Sequence, residues 1–212
     1  MRLGKYYYKE LPSGYQEKKV IDAKDKKTGT ILTVSSLVLT VLAFVVIILI
    51  KPLSYSELRS DLKAFLIADI SFLGLLILYF VLHELTHGVG YKIFTSEKLK
   101  FGVSLTVAFC GVPSAYVKKW PAFITTLLPF TVYTIAFLLV YFLVPNIYVQ
   151  AVSGLLFAIH FGGCIGDLYV ATYLIFKTDK NVLINDDGAK QAFYELSKES
   201  TETNEGNIST ES

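Results

Sequence analysis

Leu82-His83-Glu84-Leu85-Thr86-His87-Gly88 closes a long run of isoleucine, leucine and phenylalanine. It reads His-Glu-x-x-His. On a helix, residues four apart share one face, so the two imidazoles can grip a single ion. The glutamate that follows the first histidine can reach a water on that ion and take its proton. The surroundings sharpen the signal, because ionisable groups in an apolar segment are costly unless they are paired or functional.

The same apolarity sets the class of protein. Of 212 residues, 53% are hydrophobic, with a mean hydropathy of +0.50. Ordinary soluble domains reach roughly 45–50% even with glycine counted. The apolar residues cluster into runs of about 20, the length a helix needs to cross a bilayer. These features predict an all-α multi-pass membrane protein with four transmembrane helices, over about 29–50, 64–94, 121–144 and 148–176. Pro52 ends the first helix and Pro129 kinks the third.

Between the second and third spans the pattern changes. From Leu99 to Phe109 the odd positions are apolar and the even ones polar or small, which is a strand's alternation. Cys110-Gly111-Val112-Pro113-Ser114 supplies turn chemistry, and 115–118 can return as a second strand. A short cytoplasmic-side β-hairpin is therefore predicted here. Residues 1–28 read as a polar cytoplasmic leader and 29–176 as the four-helix domain. Residues 177–212 read as a polar cytoplasmic tail, largely disordered, with a short amphipathic helix over 186–198. No cleavable signal peptide is expected, since 1–28 contain no short apolar core with a small-residue cleavage site.

The net charge of +2 does not point to nucleic acid. The basic residues instead flank the spans and report orientation. Arg2 and seven lysines lie in the leader, and Lys92, Lys98, Lys100, Lys118 and Lys119 surround the hairpin. The 145–150 turn has none. The positive-inside rule then places both termini and the hairpin in the cytoplasm. Cys110 and Cys164 have neither metal-site nor disulfide-framework spacing, and read as small buried residues.

A catalytic zinc takes three protein ligands and keeps one position for water. His83 and His87 supply two, and the remaining polar candidates inside spans are His160 and Asp167. At a helical rise of about 1.5 Å per residue, His83 and Asp167 both lie about 25 Å in from the outer surface, and His160 about 10 Å nearer to it. Depth favours Asp167 if the fourth helix is continuous, but Gly162, Gly163 and Gly166 make a break there plausible and keep His160 in play. An unpaired aspartate at that depth costs roughly 2.5–3.5 kcal/mol, so a cation partner is expected. His160 can equally be a histidine hydrogen-bonded to a neighbouring helix.

His83-Glu84-Leu85-Thr86-His87-Gly88 on a membrane helix, a β-like insert and Gly166-Asp167 on a later span together resemble a family of bacterial membrane proteins, the zincin peptidases. That family is similar in pattern to the site-2 intramembrane metalloproteases. Leu11-Pro12-Ser13-Gly14-Tyr15 also resembles the family's start, so the likeness covers about 11–176. It implies a zinc peptidase of the bacterial cell membrane, acting on a membrane protein or peptide. His83, His87 and Asp167 would hold zinc and Glu84 would be the general base. Two other classes fit the same residues. One is a non-catalytic membrane protein with a structural metal that binds a partner or lipid. The other is a metal transporter, which the lack of repeated halves disfavours.

Overall fold

A computed structural model describes residues 5–103 and 108–197. Two short strands, β1 (Tyr7–Tyr8) and β2 (Tyr15–Asp22), precede helix α1 (Lys26–Ile50). The Asp25 carboxylate accepts from the Thr28 backbone N–H and caps α1. A one-turn helix α2 (Tyr55–Leu58) leads to α3 (Leu62–Phe94), which Asp61 caps in the same way. Strands β3 (Lys100–Val103), β4 (Ala108–Gly111) and β5 (Tyr116–Lys118) run into α4 (Lys119–Leu143). Helices α5 (Ile147–Gly163) and α6 (Ile165–Lys177) follow, then β6 (Leu183–Asp186) and β7 (Lys190–Leu196).

Helices α1, α3 and α4 are each long and apolar enough to cross a membrane. Their outer faces expose leucine, isoleucine and valine along most of their length, including Leu37, Leu49, Ile70, Ile77 and Leu143. So large an apolar surface is untenable in water. Helices α5 and α6 qualify only as a pair, bent by 44° at Cys164. The expected single fourth helix is therefore broken, in the glycine-rich stretch. Gly162 is required there, because a Cβ would fall 2.0 Å from Thr40 Oγ1 and 2.4 Å from the Ser36 carbonyl of α1. Small residues at such crossings let helix backbones approach closely.

The all-α expectation needs correction. A five-stranded antiparallel sheet, ordered β1-β5-β6-β7-β2, gathers segments from both ends of the chain and from the α3–α4 connection. The helix expected over 186–198 is instead strand β7, turned back on β6 at Asp187-Gly188. Gly188 has φ +91°, a conformation that glycine adopts without strain. The 177–212 segment is thus ordered through β6 and β7, and 198–212 lie outside the described residues. The leader is likewise part of the sheet, through β2 on β7.

The hairpin also differs from its expected placement. Its arms are β3 and β4, paired from Lys100↔Gly111 to Val103↔Ala108, while β5 belongs to the larger sheet. The middle of the expected first strand, 104–107, lies outside the described residues. A core of Tyr91, Val112, Val117, Leu174, Ile184 and Phe193 seals the sheet against the ends of the helices. The sheet thereby anchors α3, α4 and α6 at the end that carries the His-Glu-x-x-His segment.

Candidate metal centre

Helix α3 is exposed over most of its surface, yet Tyr79, His83, His87 and Tyr91 are buried. Their four-residue spacing puts them on one stripe, facing α4, α5 and α6. Asp167, in the first turn of α6, meets the two histidines from the other side of the helix break. Its Oδ2 lies 3.3 Å from His83 Nε2 and its Oδ1 lies 3.4 Å from His87 Nε2. The three residues form a group whose donor atoms all lie within 4.8 Å of one another. Two imidazole nitrogens and a carboxylate are a donor set suited to zinc, and three protein donors leave a position for water.

Helix α4 holds His87 in place. The Nδ1–H of His87 donates to the Thr125 carbonyl at 3.0 Å. A carbonyl can only accept, so the hydrogen sits on Nδ1 and Nε2 of the neutral ring keeps its lone pair. That carbonyl is available because residue 129 is a proline. With no N–H on Pro129, the helical partner four residues on from Thr125 is missing. Gly90 lets α4 come this close, since a Cβ there would lie 2.9 Å from Thr125 Cγ2 and 3.1 Å from its Cα.

His160 lies outside the His83–His87–Asp167 group. It meets α3 one turn away, where its Nδ1 is 2.9 Å from the Tyr79 hydroxyl, and that hydroxyl is 3.1 Å from His83 Nδ1. His83, His160 and Cys164 form a second set of donors within 4.8 Å, but Tyr79 already bridges the two rings.

Glu84 is half-buried and faces a cavity of about 1140 Å³. Thr33 and Ser36 of α1, Phe109 and Cys110 of β4, and Asp167 line it as well. The backbone amide of Cys110 approaches the Glu84 carboxylate, so β4 lies directly against the candidate base. Gly88 lets the β3 side of the hairpin approach α3, because a Cβ there would meet the Leu99 and Phe101 side chains at 3.0 and 3.2 Å. Burial, reinforced by the Glu84 and Asp186 carboxylates, pushes the Cys110 thiol up to about 12, so it stays protonated.

Beneath the site, the Asp186 carboxylate accepts from the Tyr91 hydroxyl, from the Gly188 N–H at 2.7 Å and from Gln191 Nε2 at 3.0 Å. This ties the stripe on α3 to the β6–β7 turn. Burial raises Asp186 to about 6 despite those donors. Tyr79 and Tyr91 escape notice in the sequence because tyrosine is unremarkable in a span. The four-residue spacing from the histidines is the signal that could have found them.

Residues 76–182 match the family model described as "Putative zincin peptidase". The match takes in half of the chain, including α4, α5, α6 and every residue of the candidate centre, and the chain belongs to that family. Neither the curated proteins nor the solved structures give a match.

Proposed function

We propose that this member of the zincin peptidase family is a zinc-dependent peptidase that hydrolyses a peptide bond within or beside the membrane. The observation that carries the reading is the convergence of His83, His87 and Asp167 around one point, with Glu84 beside them on a cavity. His83, His87 and Asp167 would hold the ion. Zinc bound there supplies Lewis-acid polarisation of the scissile carbonyl and lowers the pKa of a bound water. Glu84 accepts the proton of the attacking water and returns it to the departing amine.

The substrate is a membrane protein or membrane-proximal peptide. A helical substrate protects its peptide bonds with its own hydrogen bonds, so it must first unwind. Strand β4 supports capture of the extended segment by β-addition. It lines the cavity next to Glu84, and among the described residues it pairs only with β3. The shared sheet supports an even number of membrane crossings with both ends on one side, which the distribution of lysines makes cytoplasmic.

Glu84→Gln tests the chemistry. The purified variant is expected to retain one zinc per chain and to cleave no peptide substrate that the unaltered protein cleaves. Undiminished cleavage by Glu84→Gln would sink the mechanism.

A further inference from the structure

The chain contains three histidines, and all three belong to one cluster of polar contacts around Tyr79 and Asp167. His87 has its tautomer set by the Thr125 carbonyl. Among the described residues His83 Nδ1 has the Tyr79 hydroxyl as its partner and no carbonyl, and a hydroxyl can either donate or accept. The direction of that bond is decided further along the chain of contacts.

His160 is fully buried and uses both ring nitrogens on protein groups. Its Nε2 lies 3.2 Å from the Phe130 carbonyl and 3.0 Å from Thr134 Oγ1. The carbonyl only accepts, so the ring hydrogen sits on Nε2. Nδ1 of the neutral ring is then a lone pair and takes the Tyr79 hydroxyl proton at 2.9 Å. The Cys164 thiol, 3.5 Å away and a weak donor, is compatible with that lone pair. Tyr79 has only one proton, so its oxygen must accept from His83 Nδ1–H. His83 Nε2 is left with its lone pair turned towards Asp167.

We propose that Tyr79 and His160 are positioning residues. With the Phe130 carbonyl they form a directed relay that fixes His83 in the Nδ1–H tautomer and pre-sets its Nε2 as a metal donor. The relay rests on the metallopeptidase reading above. It does for His83, at two removes, what the Thr125 carbonyl does directly for His87. Partners of this kind orient a ligating imidazole and raise its basicity, and their loss typically costs 10–100-fold in metal affinity. The opposite polarity would have Thr134 donate to His160 Nε2. It would put a hydrogen on His83 Nε2, aimed at Asp167 Oδ2 3.3 Å away and leaving no lone pair for a metal, and it would leave the Phe130 carbonyl facing a lone pair.

The test uses full-length protein in detergent micelles, labelled with ¹⁵N-histidine, so that just three rings report. In the zinc-loaded protein, ring-nitrogen shifts and one-bond couplings are expected to show Nδ1–H on His83 and His87 and Nε2–H on His160. A hydrogen on His160 Nδ1 would overturn the relay. Zinc affinity, read by competition with a chelator, is expected to fall about 10–100-fold in Tyr79→Phe. His160→Gln, whose amide oxygen can still accept from Tyr79, is expected to bind zinc more tightly than His160→Leu. Equal affinity in wild type, Tyr79→Phe and His160→Leu overturns the relay and leaves the peptidase reading standing. A wild-type protein that binds no zinc overturns both.

Discussion

Asp167 turns one carboxylate oxygen towards Nε2 of each histidine, the placement expected of a third ligand. Removing a ligand should cost more than removing a group that only orients one. After equilibration with zinc and dialysis, Asp167→Ala is expected to retain far less than one ion per chain, and less than His160→Ala; the reverse order would exclude Asp167 as a ligand. Asp186 has a different signature. Its folded-state pKa of about 6 is raised above the ordinary 3.8, first by burial. The native state therefore binds the proton more tightly than the unfolded chain, and stability falls as pH rises from about 4 through about 6. The shift corresponds to about 3 kcal/mol. In thermal unfolding, Asp186→Asn should flatten the pH dependence over that window; parallel profiles would contradict the assignment. Among single residues, sequence exposes what side-chain type and spacing encode, which is how His83, Glu84, His87 and Asp167 are singled out as candidates. The Thr125 and Phe130 carbonyls are not legible that way, because every residue has one.

Pro129 shows how an element can be read for its shape while its chemistry is missed. In the sequence it marks a kink in the third span, but its effect at the site falls four residues earlier, on the freed Thr125 carbonyl. In Pro129→Ala the restored N–H can claim that carbonyl and compete with His87 Nδ1–H. A proline in a helix interior costs roughly 3 kcal/mol relative to alanine, so the metal-free variant should be no less stable than wild type. Its zinc affinity should nevertheless fall by about 10-fold. Unchanged affinity, measured by the same chelator competition, would show that the freed carbonyl is incidental. The β3–β4 hairpin was misplaced for a related reason. Four residues separate Val103 from Ala108 in the sequence, and an even number preserves the odd–even phase, so two paired strands read as one continuous alternation. The β6–β7 turn carries a hairpin signal that the helical reading of 186–198 passes over, Asp187-Gly188 between Leu183-Ile184 and Ala192-Phe193.

The large sheet is the feature least visible in the sequence, because its five strands come from three distant segments and β1 has only two residues. No local pattern announces such pairings, yet they decide how the whole molecule sits in a bilayer. Strand β2 near the N-terminus pairs with β7 near the C-terminus, and β5, at the α3–α4 connection, pairs with both β1 and β6. In the proposed topology these three regions share one side of the membrane, and the α1–α3 connection emerges on the other. The chain's own cysteines leave this open to direct measurement. Cys110 and Cys164 are buried, and Cys110 stays protonated at neutral pH, so neither should react appreciably with a maleimide. Ser13, Ser56 and Lys180 are exposed, and each can be replaced singly by cysteine. On intact cells, a membrane-impermeant maleimide is expected to label Ser56→Cys and to spare Ser13→Cys and Lys180→Cys until the membrane is opened. Labelling of Ser13→Cys and Lys180→Cys together, with Ser56→Cys spared, would keep the sheet but invert the orientation read from the lysines. Labelling of only one of those two would place the ends on opposite sides, where β2 and β7 cannot pair.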